Sequence, residues 1–275
     1  MEGNEERLRV GASSWSAPSW EGAFYPPGMR PAEYLAYYAS RFDTVEIDAT
    51  FYRIPSQRMV DGWRERTPPG FLFAAKVPQA ITHEKVLEGC AGEFGAFLRV
   101  MDRLGDRLGP LLFQFRYFRR SEFPDPRPFI ERLERFLPAL PRGRRFAVEV
   151  RNKAFVVPRL LDLLRGHRVA LALIDHPWFH RIDRLMRRPD ILTADFAYIR
   201  WLGDRHAIER RTGAWNRLVV DRGREMSEWI PAVRAMLDRD RTVYGYFNNH
   251  YAGYAIGSIG LFREQWARAR RAASP

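Results

Sequence analysis

Apolar and polar positions alternate through eight short runs of this chain, and the alternate positions turn charged or amide-bearing at the C-terminal end of most runs. FAVEVR (residues 146–151) shows it best, ending in Glu149 and Arg151. TVEIDAT (44–50), FLFAAK (71–76), LLFQFR (111–116), FAYIRW (196–201) and VYGYFN (243–248) repeat it, and LRVGAS (8–13) and VALALID (169–175) do so more weakly. A strand buried on both faces should read as an almost continuous apolar run. Charges planted in it at period two therefore mark positions with another task.

The intervening segments carry a helical period. Residues 31–41 place Pro31 in a first turn, and Ser56 caps a helix that Thr67-Pro68-Pro69 stops near Arg66. Residues 92–108 space Phe94, Phe97, Leu98, Met101, Leu104 and Leu108 helically, and residues 125–137 do the same with Phe129, Ile130, Leu133, Phe136 and Leu137. Further helices are predicted at 158–165, 224–238 and 255–271, with less regular connections at 177–194 and 202–222. Strands alternating with helices predict parallel βαβ units. Eight of them in a chain of this length predict a (β/α)8 TIM barrel in a single domain, core about 8–262, with a basic helix end at 263–275. A doubly wound dinucleotide fold wants G-x-G-x-x-G after the first strand, and the chain has GASSWSAPSW there.

In a barrel, alternate strand residues face the lumen or the helix layer. The apolar phase (Val45 and Ile47; Phe113 and Phe115; Phe146, Val148 and Val150; Val243 and Phe247) belongs outside. The other phase holds Gly11, Ser13, Glu46, Asp48, Thr50, Lys76, Gln114, Arg116, Glu149, Arg151, Tyr198, Arg200, Tyr244, Tyr246 and Asn248. Asp175 ends the sixth run in the phase of Val169, Leu171 and Leu173, so its direction stays open. Most of the charges fall at the C-terminal strand ends, where this fold keeps active sites. They are mixed in sign, so they fit either a polar ligand site or an internal layer of ion pairs.

The chain has 275 residues and a formal net charge of +12, which invites a polyanionic partner. Lys76, Lys85 and Lys153 are the only lysines, however, so an arginine-biased genome explains the charge equally well, and the arginines are scattered. The single cysteine, Cys90, rules out an internal disulfide framework. The N-terminal MEGNEERL is polar and no run is long enough to span a bilayer, so a cytoplasmic protein with no membrane partner is expected.

GASSWSAPSWEGAFYP, EIDATFYRIPS, AAKVPQAITHE, LGPLLFQF, EVRNKAF, YIRWLGDR and FNNHYAGYA, in that order and each at a strand end, resemble the YecE-like family, also called domain of unknown function 72. The resemblance runs from about Val10 to Phe262. It implies a TIM barrel, one that has been likened to the endonuclease IV and xylose isomerase type, and it implies no particular reaction. Three positions depart from the commonest family pattern: Asp48 stands where asparagine is usual, Arg116-Tyr117 replaces a proline pair, and Leu202 takes the place of a histidine. A substrate shared by all members therefore does not follow.

The candidate catalytic groups are Glu149, Glu46 and Lys76, two carboxylates for acid–base work and a cation for an anionic group. The candidate substrate-binding groups are Asp48, Tyr52, His83, Gln114, Arg151, Asp175, Arg200, Asn248, Asn249 and His250. An anionic group is expected at the loops after strands seven and eight, near Gly203, Arg200 and Asn248-Asn249-His250. No cofactor and no metal site is expected. His83, His176 and His250 with Glu46, Glu149 and Asp175 could hold a divalent ion, but no fixed ligand spacing marks them. Trp15, Trp20, Tyr25, Phe51 and Tyr52 either stack on a ligand or pack the first loops together. The function expected is acid–base enzymology on an anionic, phosphate-bearing small molecule or nucleic-acid fragment, with hydrolase and lyase both open. The alternatives are a non-enzymatic nucleic-acid-binding protein and a metal-dependent phosphodiesterase of the endonuclease IV type.

Overall fold

All eight runs become strands in the computed structural model, which describes residues 6–273: β1 (Leu8–Ala12), β2 (Thr44–Ile47), β3 (Leu72–Lys76), β4 (Leu108–Gln114), β5 (Phe146–Glu149), β6 (Ala170–Asp175), β7 (Phe196–Trp201) and β8 (Thr242–Phe247). The first five residues of the polar N-terminal stretch and the last two of the basic tail lie outside the described residues. The strands form one sheet in the order β1-β8-β7-β6-β5-β4-β3-β2. Every neighbour is consecutive in sequence except β1 beside β8, the pairing that a (β/α)8 barrel requires and a doubly wound sheet lacks. The helices are α1 (Tyr34–Ala39), α2 (Gln57–Glu65), α3 (Ala91–Met101), α4 (Arg127–Phe136), α5 (Pro158–Gly166), α6 (Ile182–Met186), α7 (Arg205–Glu209), α8 (Gly223–Leu237) and α9 (Ala255–Ala273).

Two boundaries differ from the expected pattern. The α-helix expected over 92–108 stops at Met101, a 3-10 segment, Asp102–Arg107, broken by Gly105 at φ 60° and ψ −124°, follows it, and Leu108 opens β4 instead. At 31–41 a short 3-10 turn, Pro31–Glu33, precedes α1.

Contacts group the chain into two compact units. The first takes in the chain up to Val45, Leu173–Arg188 and the chain from Ile199 on. Here β1 and β8 pair in parallel from Leu8↔Val243 to Ala12↔Phe247. Gly11 lets β1 approach the start of β2: a Cβ there would stand 2.1 Å from the Thr44 carbonyl oxygen. The Tyr38 hydroxyl stitches the same spot, accepting from the Ala12 N–H (2.8 Å) and donating to the Thr44 carbonyl (3.1 Å). Trp20 and Tyr25 are buried, and Tyr25 stacks on Tyr34 at 3.9 Å, so these first-loop aromatics pack rather than project. The second unit is Glu46–Ala172 with Pro189–Tyr198. β3, β4, β5 and β6 pair in parallel in that order, and Phe94, Phe113, Phe136 and Phe146 cluster against them. Each fully buried phenylalanine stabilises by about 1.5–3 kcal/mol. The apolar phase of the strands therefore drives the unit together, leaving the polar phase to its own chemistry.

Candidate active site

In the second unit, the strand ends deliver a connected set of charges. Glu46 and Glu149 have no exposed surface. Glu46 accepts from the Tyr198 hydroxyl at 2.7 Å. Glu149 faces Arg151, Nε to Oε1 2.5 Å, an ion pair without good hydrogen-bond alignment. Lys76 is buried and ion-paired with Asp48, and its Nζ lies 5.5 Å from the centre of the Phe51 ring. Thr50 ties the loop after β2 to the end of β3 by donating to the Lys76 carbonyl at 2.8 Å. Arg116, half-buried, is held by both oxygens of Glu122. Asn152 fixes that loop with a reciprocal pair of 2.9 Å bonds to the Phe118 backbone. Gln114 ends β4 half-buried, in register with Glu149.

His83 sits among these groups, in a single π-helical turn, Ala80–Glu84, that follows β3. Such turns recur at functional sites. Its Nδ1 lies 2.9 Å from the Thr82 hydroxyl, its ring meets Phe51 edge-on at 4.8 Å, and Arg116 Nε donates to its carbonyl at 3.4 Å. Partial burial, then the charges of Arg116, Lys76 and Arg151, push the His83 pKa down to about 4, with Glu149 opposing. The imidazole is therefore neutral at physiological pH, in a positive local field. Tyr52 and Tyr117 are 67% and 65% exposed. Each is the chain neighbour of a residue touching His83, Phe51 for one and Arg116 for the other.

In the first unit, Asp175 Oδ2 accepts from Trp229 Nε1 (2.8 Å) and from the Tyr251 hydroxyl (3.3 Å). Burial, the largest influence, raises its pKa, while the Trp229 bond and Arg222 pull the other way. Arg200 is buried. Asn248 Oδ1 accepts from the His250 N–H at 2.9 Å and faces His250 Nδ1 at 2.6 Å, while Asn249 Oδ1 accepts from the Ala255 N–H at the start of α9. His250 Nε2 faces Glu209 at 3.3 Å. Both amide oxygens of this loop thus satisfy its own backbone. Among the described residues, no three His, Cys, Asp or Glu side chains gather as a metal-holding group. No described helix is long and apolar enough to cross a membrane.

The candidates near Lys76 and Glu149 were visible as strand-end charges. The setting of His83 was not, because its cations come from the end of β3 and from the segments after β4 and β5 and meet only in the folded unit. Trp229 and Tyr251, the partners of Asp175, were also missed. Tyr251 follows closely on the eighth run, whereas Trp229 lies within the helix expected at 224–238 and carried no such signal.

Consecutive strands in barrel order, with polar groups at the β→α ends, define a (β/α)8 barrel protein. The chain belongs to the DUF72 family, described as "Protein of unknown function DUF72", which it matches over residues 9–275. The UPF0759 protein YecE of Escherichia coli (strain K12) is 33% identical over 149 residues, 54% of this chain and 50% of that protein. The chain thus spans about half the length of the curated relatives it matches. A DUF72 family protein from Thermotoga maritima superposes with TM-score 0.73 at 27% identity, covering 94% of this chain and 99% of that one. D-psicose 3-epimerase from Clostridium cellulolyticum H10, solved with D-tagatose, gives TM-score 0.52 at 15% identity over 94% and 96% of the two chains, a likeness of fold alone.

Proposed function

We propose that this chain is an enzyme performing acid–base chemistry on an anionic, phosphate-bearing small molecule or nucleic-acid fragment, with His83 as the base. The supporting observation is an imidazole in a π-helical turn, kept neutral by partial burial and by the charges of Arg116, Lys76 and Arg151. The cations that add to burial in keeping His83 unprotonated also attract an anion, which competes with their carboxylate partners Glu122, Asp48 and Glu149. A neutral imidazole beside it can accept a proton. Glu149 and Asp48 then act by holding Arg151 and Lys76 in place, and buried Glu46 by fixing Tyr198, since neither glutamate reaches solvent.

The test is turnover of a sugar phosphate, a nucleoside monophosphate and a short single-stranded oligonucleotide by the wild type and by His83→Gln. A base role predicts loss of kcat in the variant, about a hundredfold or more, with ligand binding kept. Turnover undiminished in His83→Gln removes the proposal. Exposed Tyr52 and Tyr117, followed in sequence by Arg53 and by Arg119-Arg120, favour a second reading as a non-enzymatic single-strand binder whose bases stack on tyrosine.

A further inference from the structure

A cavity of about 270 Å³ lies wholly within the first unit, between the loop after β6 and the N-terminal half of α8. The site around His83 does not use it. Its wall is half apolar, from Phe179, Ile182 and Trp229, and half ionic.

The ionic half is unbalanced at one point. Arg222 pairs with Glu225 at 2.9 Å, and its Nε donates to the Tyr251 carbonyl at 3.1 Å. Arg181 pairs with Glu228 and, at 3.5 Å, with Asp183. Each arginine lining the cavity thus has its own carboxylate. Asp175 has no ion pair with any described residue, Arg222 acting on it only at longer range. Only Oδ2 is bonded, and its two donors, the Trp229 indole and the Tyr251 hydroxyl, are both neutral. Oδ1 carries no hydrogen bond from any described residue. His176 Nδ1 accepts the Trp178 N–H at 3.2 Å. Trp178 itself, 70% exposed, sits in the same loop.

A half-buried carboxylate whose hydrogen-bond donors are all neutral is costly to keep ionised, and a ligand that brings a positive charge gains what the fold leaves out. An anion is disfavoured, because it would meet three carboxylates while both arginines are engaged. We propose that this cavity binds a small primary amine, its ammonium on Asp175 Oδ1 and its carbon body against Phe179, Ile182 and Trp229. The volume admits a body of about one six-membered ring. Aromatic walls favour a cation further.

Cyclohexylamine and cyclohexanol share a ring and differ in the group that would meet Asp175. Titrated into the full chain and followed by calorimetry and tryptophan emission, the amine is expected to bind, and the alcohol at least about tenfold more weakly, the worth of one charge-assisted hydrogen bond. Asp175→Asn should weaken the amine by a similar factor. Equal binding of the two ligands, undiminished amine binding in the variant, or displacement of the amine by inorganic phosphate overturns the proposal. Should Asp175→Asn fail to fold, the wild-type comparison of amine with alcohol decides by itself. The outcome is independent of His83, so the two proposals stand or fall separately.

Discussion

Asp48 and His83 carry the sharpest consequences at the scale of single residues. Lys76 reaches a substrate anion only in competition with Asp48, its partner in the structure. Asp48→Asn removes that competitor and is expected to raise affinity for inorganic phosphate severalfold, read by calorimetry at low salt. Unchanged affinity would place Lys76 outside the anion site. For His83, the folded pKa of about 4 lies below the ordinary value of 6.5. The unfolded chain therefore takes up the proton first as pH falls. The stability that this shift contributes is complete above about pH 6.5 and is lost as pH drops toward 4. Urea midpoints measured between those pH values should fall for the wild type and run flatter for His83→Gln. Parallel curves would mean that the imidazole is not held neutral. Residue type alone shows neither effect, since His83 is one of six histidines and becomes distinctive through its neighbours.

At the scale of elements, loop geometry does the positioning. Gly203, after β7, has φ +68°, and a Cβ on it would stand 2.3 Å from the His250 carbonyl oxygen and 2.6 Å from Tyr251 Cα. The loops after β7 and β8 are pressed together through this glycine. Gly203→Ala is expected to destabilise by about 2 kcal/mol or more, from left-handed strain plus backbone overlap. It should also disturb the Asp175–Tyr251 contact, visible as altered tryptophan emission. A wild-type unfolding midpoint would show that the loop yields freely. Glycine in RWLGDR was readable as a loop residue, but the backbone pressed against it, 47 residues downstream for His250, was not. Likewise, the spacing of residues 92–108 could not reveal that Gly105 ends the helical pattern, because Leu104 and Leu108 suit a helix and a strand equally.

At the scale of the whole molecule, the charge of +12 is spread over arginines, many of them in surface ion pairs such as Arg103–Asp61, Arg127–Asp125 and Arg159–Glu134. Such pairs contribute little to stability, roughly 0–1 kcal/mol each, and they lower the density of free positive charge. Oligonucleotide binding is therefore expected to be weak, to fall steeply with added salt, and to drop by about 1–3 kcal/mol in Tyr117→Ala if bases stack there. Salt-insensitive binding, or no change in the variant, would count against the single-strand reading. The sequence by itself determined the eight strands, their order of alternation with helices and the phase of their polar positions, because period-two burial is local and each run carries it alone. Tertiary structure alone decided which charge meets which. Lys76 chose Asp48, Arg116 chose Glu122 across its own loop, and Asp175 was left with neutral donors. Pairing depends on distances between strand ends, and these exist only after the apolar phase has packed.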